Sequence, residues 1–283
     1  MESSEGTTSF KESAGGGVWT GEVMGSLATP DPGVLALHGF TGAGADFLPL
    51  WEACEKPIGL LAPDLPGHQG TSLSVCQSLE MMESCVEGLK RLTGDHLPGA
   101  HVVMGYSMGG RVAVNYALGD PAGLIGVVLV GTTAGIIDSR ERSERKREDE
   151  ALGEWILENG VEAFCERWMK VPIIATQKRI PAGALSQMLH RKRTLTANGL
   201  RESLLGMGAG VAKPLWDRLD EIKVPVLVVA GEEDRKYCGL AEKILALVPQ
   251  GTKLIVPEAG HAAHLENIPF FVSGLERFMS GLV

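Results

Sequence analysis

The sequence predicts an α/β fold with a mostly parallel central sheet and helices on both faces. Short apolar runs, such as residues 34–37 and 60–62, alternate with stretches whose apolar residues recur at helical spacing. This alternation stops once, for a long helical region, and then resumes. Strands that alternate with helices imply crossover connections, which cover both faces of a parallel sheet.

The individual elements follow from the same two patterns. Apolar runs predict strands at residues 34–37, 60–62, 125–130, 224–229 and 254–256, after a short edge strand at 18–24. Helical spacing predicts helices at residues 79–92, 111–118, 240–247 and 270–279. Residues 1–16 are rich in Ser, Glu and Gly, and we predict that they are flexible.

A serine held between glycines is the centre of the predicted site. The apolar run from Val102 ends at Ser107, between Gly105 and Gly109. A strand that turns this sharply into a helix leaves no room for β-carbons beside the serine. Ser107 is therefore predicted to be a nucleophile above the end of the sheet. The N–H of Met108, at the helix start, is a predicted oxyanion donor.

Residues 136–216 carry helical patterns and no convincing strand. We predict a lid of roughly four helices, inserted after the strand that follows the nucleophile helix. The core is then residues 17–135 and 217–283. Ligands of open parallel sheets bind beyond the carboxyl ends of the strands, which is where this lid would lie.

Composition restricts the class of protein. The chain has 44% hydrophobic and 22% charged residues, and no apolar run reaches the ~18 residues that span a membrane. A net charge of −9 disfavours nucleic acid as a partner. The start of the chain has no hydrophobic signal core, and five irregularly spaced cysteines favour a reducing compartment. We therefore expect a cytoplasmic protein.

Asp234 and His261 complete a predicted catalytic triad with Ser107. Each follows a predicted strand, and the order Ser, Asp, His is one that serine-nucleophile enzymes use. An imidazole must take the hydroxyl proton, and a carboxylate holds the tautomer of that imidazole. Three nearby residues of the same types are weaker candidates: Glu232, Glu233 and His264.

The loop after the strand at 34–37 supplies the second predicted oxyanion donor. Glycines around Phe40 let the backbone approach Ser107, so the N–H of Phe40 is positioned for that role. We interpret His38 as a brace of this loop. Asp64 and His68, in a loop rich in Pro and Gly, are interpreted as structural staples.

Arginines near the serine indicate an anionic substrate. Arg111 follows Ser107 by one helical turn and can face the same pocket. The lid adds the basic run at 140–147 and four further cations: Arg179, Arg191, Lys192 and Arg193. Arginine binds carboxylates in bidentate fashion. Most charges of the run at 140–147 fit a solvated helix face instead. Trp168 fits either a pocket wall or the lid core.

Seven segments carry a resemblance to a known family. They are residues 37–40, 64–68, 105–111, 145–150, 207–210, 231–237 and 259–267. Nearly the whole chain after residue 30 resembles the α/β-hydrolase superfamily, which implies an α/β-hydrolase fold. Within it, the chain resembles the 2-succinyl-6-hydroxy-2,4-cyclohexadiene-1-carboxylate synthases of menaquinone biosynthesis.

The resemblance implies a carbon–oxygen lyase that eliminates pyruvate from 2-succinyl-5-enolpyruvyl-6-hydroxy-3-cyclohexene-1-carboxylate. It implies that Ser107, activated by His261, removes the proton α to the succinyl ketone, and no metal or organic cofactor is expected. The family's substrate-contacting positions match Tyr106, Arg111, Arg145 and Trp168, with a further lid arginine at Arg193 or, in another alignment, Arg191. Thr41 departs from the family, which usually has an apolar residue after Phe40.

Two other functions stay open. A serine hydrolase that cleaves an ester, a thioester or a C–C bond through an acyl-enzyme would use the same triad. A binding module that has lost catalysis is disfavoured by the complete triad. The partner is expected to be a small anionic substrate, and the sequence leaves the oligomeric state undetermined.

Overall fold

The computed structural model describes residues 6–27, 32–56, 58–74 and 80–282. All of their strands belong to one nine-stranded sheet. Its strands are β1 (Thr7–Ala14), β2 (Gly17–Met24), β3 (Gly33–Leu37), β4 (Leu60–Pro63), β5 (Ser72–Leu73), β6 (His101–Tyr106), β7 (Leu124–Val130), β8 (Val226–Gly231) and β9 (Gly251–Val256).

The sheet is mostly parallel, as predicted. Its strand order is β1-β2-β4-β3-β6-β7-β8-β9, and the short β5 pairs with β2. All neighbours from β4 to β9 in that order are parallel, whereas β2 is antiparallel to β1, β4 and β5. Because β3 and β6 are adjacent, the loop after Leu37 and the turn at Ser107 meet at one edge of the sheet.

Helices complete the layers on both faces. They are α1 (Leu48–Glu52), α2 (Met81–His96), α3 (Met108–Leu118), α4 (Ser139–Trp168), α5 (Pro172–Ala175), α6 (Ala182–Arg193), α7 (Ala197–Met207), α8 (Arg235–Leu245), α9 (Ala263–Glu266) and α10 (Ile268–Ser280). The helix predicted at 79–92 corresponds to α2, and its first residue, Leu79, lies outside the described residues.

The core divides along the sheet because strand side chains alternate between its faces. In β3, Leu35 and Leu37 pack in a cluster that includes residues of α2, α3 and α8. Val34 and Ala36 point to the other face and pack with residues of α1 and α10. The continuous apolar runs of these strands are explained by burial on both sides.

The N-terminal region differs from the prediction. Residues 7–14, predicted to be flexible, form β1, which pairs along its whole length with β2. β2 is consequently not the edge strand predicted at 18–24, because it lies between β1 and β4. The connecting Gly15 and Gly16 have φ of 56° and 76°, values that suit a two-residue hairpin turn. Residues 1–5 lie outside the described residues.

Between β7 and β8 the chain is fully described and contains helices but no strand. We call residues 136–216 the cap. Its first helix, α4, is broken at Gly160, whose φ of 82° is not helical. α4 packs on α7 around the cap's own apolar cluster of Ile156, Phe164, Cys165, Leu195, Leu200 and Leu204. In the part of the chain described here, no helix is long and apolar enough to cross a membrane.

Candidate active site

The turn at Ser107 depends on close backbone packing. Ser107 has φ 53° and ψ −107°, a strained conformation between β6 and α3. A β-carbon at Gly105 would lie 2.3 Å from the carbonyl oxygen of Gly109, and one at Gly109 would lie 2.2 Å from that of Leu37. Glycine is required at both positions, and the serine side chain is held clear of the helix.

Ser107, His261 and Asp234 lie in one hydrogen-bonded line. Ser107 Oγ is 3.0 Å from His261 Nε2, and His261 Nδ1 is 2.8 Å from Asp234 Oδ2. The Asp234 carboxylate also accepts the N–H of Tyr237, so Asp234 is the N-cap residue of α8. With the Nδ1 proton directed at Asp234, Nε2 is free to take the serine proton.

Two aromatic rings enclose His261. The ring centroids of Tyr106 and Tyr237 lie 5.3 Å and 4.5 Å from that of the imidazole, which is 4% exposed. The weaker acid candidates have other partners: Glu232 accepts the N–H of Glu258, and Glu233 pairs with Arg179. The geometry therefore favours Asp234 as the carboxylate partner.

Phe40 and Met108 line the cavity next to Ser107. No described residue accepts the backbone N–H of either one. A β-carbon at Gly39 would lie 2.9 Å from the Tyr106 ring and 3.4 Å from Ser107 Cβ, so only glycine lets this loop approach so closely. Two unpaired N–H groups beside a serine hydroxyl can hold a developing oxyanion.

Three loop residues hold the backbone around this site. His38 Nε2 accepts the N–H of Leu65, and His68 Nε2 accepts the N–H of Thr41. Asp64 accepts hydrogen bonds from the Thr20 hydroxyl and the Gly44 N–H. All three act as braces, as their loop context predicts.

Buried neutral histidines make acid stability a testable property. Burial lowers the pKa of His38 to about 4, and that of His68 and His264 to about 3. In the unfolded chain these groups bind protons below about pH 6.5, so folding stability is fully present above that pH and falls below it. We expect each to cost about 2 kcal/mol of unfolding free energy at pH 5, measured by urea titration at pH 7.5 and pH 5.

A His264→Phe variant provides the matched control. His264 lies among aromatic rings, and its Nδ1 has no partner among the described residues, so phenylalanine suits the space. The acid-induced loss should be smaller by about 2 kcal/mol in this variant. Equal losses in the two proteins would contradict the assignment of a neutral, buried His264.

A cavity of about 1030 Å³ lies between the strand ends and the cap. It is lined by Ser107, His261 and most of the predicted substrate-contacting residues: Tyr106, Arg111, Arg145 and Trp168. Among the described residues, six carboxylates also line it: Asp138, Glu141, Glu144 and Glu148 are exposed, whereas the buried Asp46 and Asp149 are paired with Arg191 and Arg145. The positive groups near the serine are therefore the relevant charges for a bound ligand.

Arg111 is the cation next to the nucleophile. One of its Nη atoms donates to the carbonyl of Met207 at 2.9 Å, whereas its buried Nε has no partner. Among the described residues, no carboxylate pairs with it. Burial lowers its pKa, which reflects the cost of an enclosed positive charge. A ligand carboxylate would relieve that cost.

Arg145 and Trp168 reach the cavity from opposite ends of α4. Arg145 Nε donates to Asp149 Oδ1 at 2.8 Å, and the buried Asp149 also accepts the N–H of Gly210. Asp149 therefore orients Arg145. Trp168 meets the Phe40 ring edge to face at 5.5 Å and serves both as a wall and as a cap contact.

The structure does not place the third predicted arginine in the cavity. Arg193 is exposed and does not line the cavity, and Arg191 pairs with Asp46 at 2.7 Å. Lys192 lies in the cavity instead and is 4% exposed. Successive helical residues differ by 100° in direction, so one position decides which side chain faces inward. The spacing from buried Met188 to Lys192 is the signal that could have identified it.

Thr41 explains how Lys192 is held. Lys192 Nζ donates to the Thr41 carbonyl at 3.1 Å and to its hydroxyl at 2.6 Å. Burial lowers the pKa of Lys192, and among the described residues no carboxylate forms an ion pair with it. Thr41 thus provides the oxygen ligands of a buried ammonium.

Gln177 is a pocket residue that the sequence analysis missed. It is buried at 4% exposure and lines the cavity, and its Oε1 has no partner among the described residues. A side-chain hydrogen bond from Gln177 partly offsets the burial that raises the pKa of Tyr106. An unpaired acceptor here suits a ligand hydroxyl.

No cluster of three metal-binding side chains occurs among the described residues.

The fold and this site together define the class. The model of the alpha/beta hydrolase family matches residues 34–272. That span covers both sides of the cap and all three members of the hydrogen-bonded line. The chain therefore belongs to the alpha/beta hydrolase family.

Particular relatives narrow the comparison. The chain is 32% identical to the putative 2-succinyl-6-hydroxy-2,4-cyclohexadiene-1-carboxylate synthase of Bacillus subtilis over 249 residues, 88% of this chain and 90% of the relative. It is 28% identical to the synthase of that name from Photorhabdus laumondii over 251 residues, 88% of this chain and 86% of the relative. The structure of MenH from S. aureus superposes with a TM-score of 0.83 at 26% identity, over 98% of this chain and 99% of that one.

Proposed function

We propose that the chain is a 2-succinyl-6-hydroxy-2,4-cyclohexadiene-1-carboxylate synthase, a lyase that eliminates pyruvate in menaquinone biosynthesis. The observation that carries the proposal is the Arg111 guanidinium, which has no carboxylate partner among the described residues and lies one turn from a serine hydrogen-bonded to His261. The names of the relatives support the same reaction. We place the enzyme in the cytoplasm, with a small anion as its substrate.

The reaction begins with proton transfer. Ser107 Oγ gives its proton to His261 Nε2 and takes the ring proton α to the succinyl ketone. Asp234 holds the imidazole and stabilises its charged form. The substrate enolate that results carries its charge on the ketone oxygen.

The elimination follows without a covalent intermediate. The N–H groups of Phe40 and Met108 bind the enolate oxygen. The carbonyl re-forms, the electron pair moves through the ring double bond, and the carbon–oxygen bond to the enolpyruvyl group breaks. The leaving enolate takes up the proton held by His261 and becomes pyruvate, while the ring becomes the 2,4-diene.

The charges of the cavity match this substrate. It carries three carboxylates: one on the ring, one on the succinyl chain and one on the enolpyruvyl group. Arg111, Arg145 and Lys192 can bind them, and Lys236 and Lys243 also line the cavity. The Gln177 Oε1, which lacks a donor among the described residues, would accept the ring hydroxyl.

Pyruvate release is the direct test. The protein is incubated with the enolpyruvyl precursor, pyruvate is measured with time, and a panel of short acyl esters is assayed in parallel. We expect catalytic release of pyruvate and an ester activity at least about a hundredfold lower in kcat/KM, because the cations favour carboxylates.

The reverse result would favour the hydrolase. The serine–imidazole distance of 3.0 Å also suits acyl transfer, so the same site could form an acyl-enzyme. If esters turn over and the precursor does not, the chain is a serine hydrolase and the lyase proposal is wrong.

A further inference from the structure

The buried carboxylate of Glu266 accepts hydrogen bonds from the backbone on both sides of His261. Glu266, in α9, has a side chain with no exposed surface. Its Oε2 accepts the N–H of Gly260 at 2.7 Å, and its Oε1 accepts the N–H of Ala262 at 3.1 Å. One side chain therefore fixes the backbone immediately before and after the imidazole that contacts Ser107.

The cap supplies two further partners of this carboxylate, the Thr176 hydroxyl and, at 4.0 Å, the Arg179 guanidinium. Thr176, which begins the short helix Thr176–Arg179, donates its hydroxyl to Glu266 Oε1 at 2.9 Å. The contact is close, because a β-carbon at Gly260 would lie 2.3 Å from the Thr176 Oγ1 atom. Cap and histidine loop are thus joined by a hydrogen bond to the carboxylate that holds the loop.

A second cap residue reaches the loops that carry Asp234 and His261. Arg179 donates to the Glu233 carboxylate at 2.8 Å and to the carbonyl of Glu258 at 3.1 Å. Glu233 immediately precedes Asp234, and Glu258 lies three residues before His261. The cap segment Thr176–Arg179 therefore contacts the loops that carry both the imidazole and its carboxylate.

We infer that Glu266 and Thr176 are positioning residues that align His261 with Ser107 when the cap is seated. The inference rests on the proposed role of His261 as the proton acceptor. Neither residue touches the reacting atoms: Glu266 acts through the two flanking peptides, and Thr176 fixes the orientation of Glu266.

Thr176→Val and Thr176→Ser form the test pair. Valine keeps the shape and removes the donor, whereas serine keeps the donor. We expect Thr176→Val to lower kcat for pyruvate release about fivefold, the effect of one lost hydrogen bond, with KM within about twofold. Thr176→Ser should stay within about twofold of the parent in both constants, and the exposed Thr252→Val should match it.

Two readouts do not depend on the substrate. The rate at which a fluorophosphonate labels Ser107 should fall about fivefold in Thr176→Val and recover in Thr176→Ser. The low-field NMR signal of the His261 Nδ1 proton should shift in the valine variant and stay in place in the serine variant. Glu266→Gln replaces one accepting oxygen by an NH2 group and should lower the labelling rate about tenfold.

The outcomes separate this inference from the proposed function. If the parent protein labels at Ser107 but releases no pyruvate, the lyase is wrong, and the labelling rates still decide the role of Thr176 and Glu266. If Thr176→Val labels at the parent rate, or Thr176→Ser is no faster than Thr176→Val, the positioning role is overturned. Because Thr176→Val is isosteric, it decides the matter even if Glu266→Gln does not fold.

Discussion

Replacing Ser107 with alanine is expected to lower kcat/KM for pyruvate release by about 10³-fold, roughly 4 kcal/mol of transition-state stabilisation. The hydroxyl is the group between His261 Nε2 and the substrate, so its loss leaves no positioned base. Stability should change little, since serine and alanine both carry a β-carbon and meet the same strain at a φ of 53°. Steady-state pyruvate release and thermal unfolding measure the two effects.

Non-additivity makes the Ser107 test specific. If Ser107 and His261 act as one base, the double variant Ser107→Ala/His261→Ala should be no slower than either single variant, within about threefold. Ser280→Ala, at the exposed end of α10, is the control and should match the parent. Additive losses in the double variant would mean that the two residues act independently.

The central fold was predictable because its strands are buried on both faces. A continuous apolar run such as Val102–Met104 predicts a buried strand by itself. Gly105 and Gly109, on either side of Ser107, predict the sharp turn. β1 was not predictable in this way. It lies at the sheet edge with a largely exposed, polar pattern, and its order comes from pairing with β2.

The triad was predictable for a different reason. Ser107, Asp234 and His261 each follow a strand of one parallel sheet, and the carboxyl ends of such strands share an edge. The structure brings the three within hydrogen-bonding distance. In a parallel sheet the topology brings residues that follow adjacent strands together, so the positions of these three residues after their strands were sufficient to predict the site.

The cap residues show where sequence reasoning fails. Arg193 and Lys192 are neighbours in α6, and their directions depend on how that helix is rotated against the core. Because arginine binds carboxylates in bidentate fashion, the sequence predicts an arginine at this position of the cavity. The structure places Lys192 there instead, held by the two oxygens of Thr41. Gln177 and Glu266 were missed because their roles depend on contacts between distant segments, which leave no local pattern.

Arg111→Met is expected to lower kcat/KM for the pyruvate-bearing precursor by about a hundredfold, roughly 2.7 kcal/mol. Methionine fills similar space but cannot bind a carboxylate. Labelling of Ser107 by a neutral fluorophosphonate should change by less than about threefold, since the Arg111 side chain forms its hydrogen bond with the Met207 carbonyl and none with Ser107, His261 or Asp234. A loss of precursor activity within about threefold, roughly 0.7 kcal/mol, would mean that the substrate does not need this charge.

Stability should change in the opposite direction. The Arg111 guanidinium is half-buried, its Nε is buried and unpaired, and among the described residues no carboxylate pairs with it. Such a charge opposes folding until a ligand arrives. We expect Arg111→Met to raise the free energy of unfolding by about 1 kcal/mol, and Lys192→Met to act in the same direction. If Arg111 served the structure, its replacement would lower both stability and activity. Opposite signs in calorimetry and in pyruvate release therefore identify a cation that the fold tolerates because the substrate requires it.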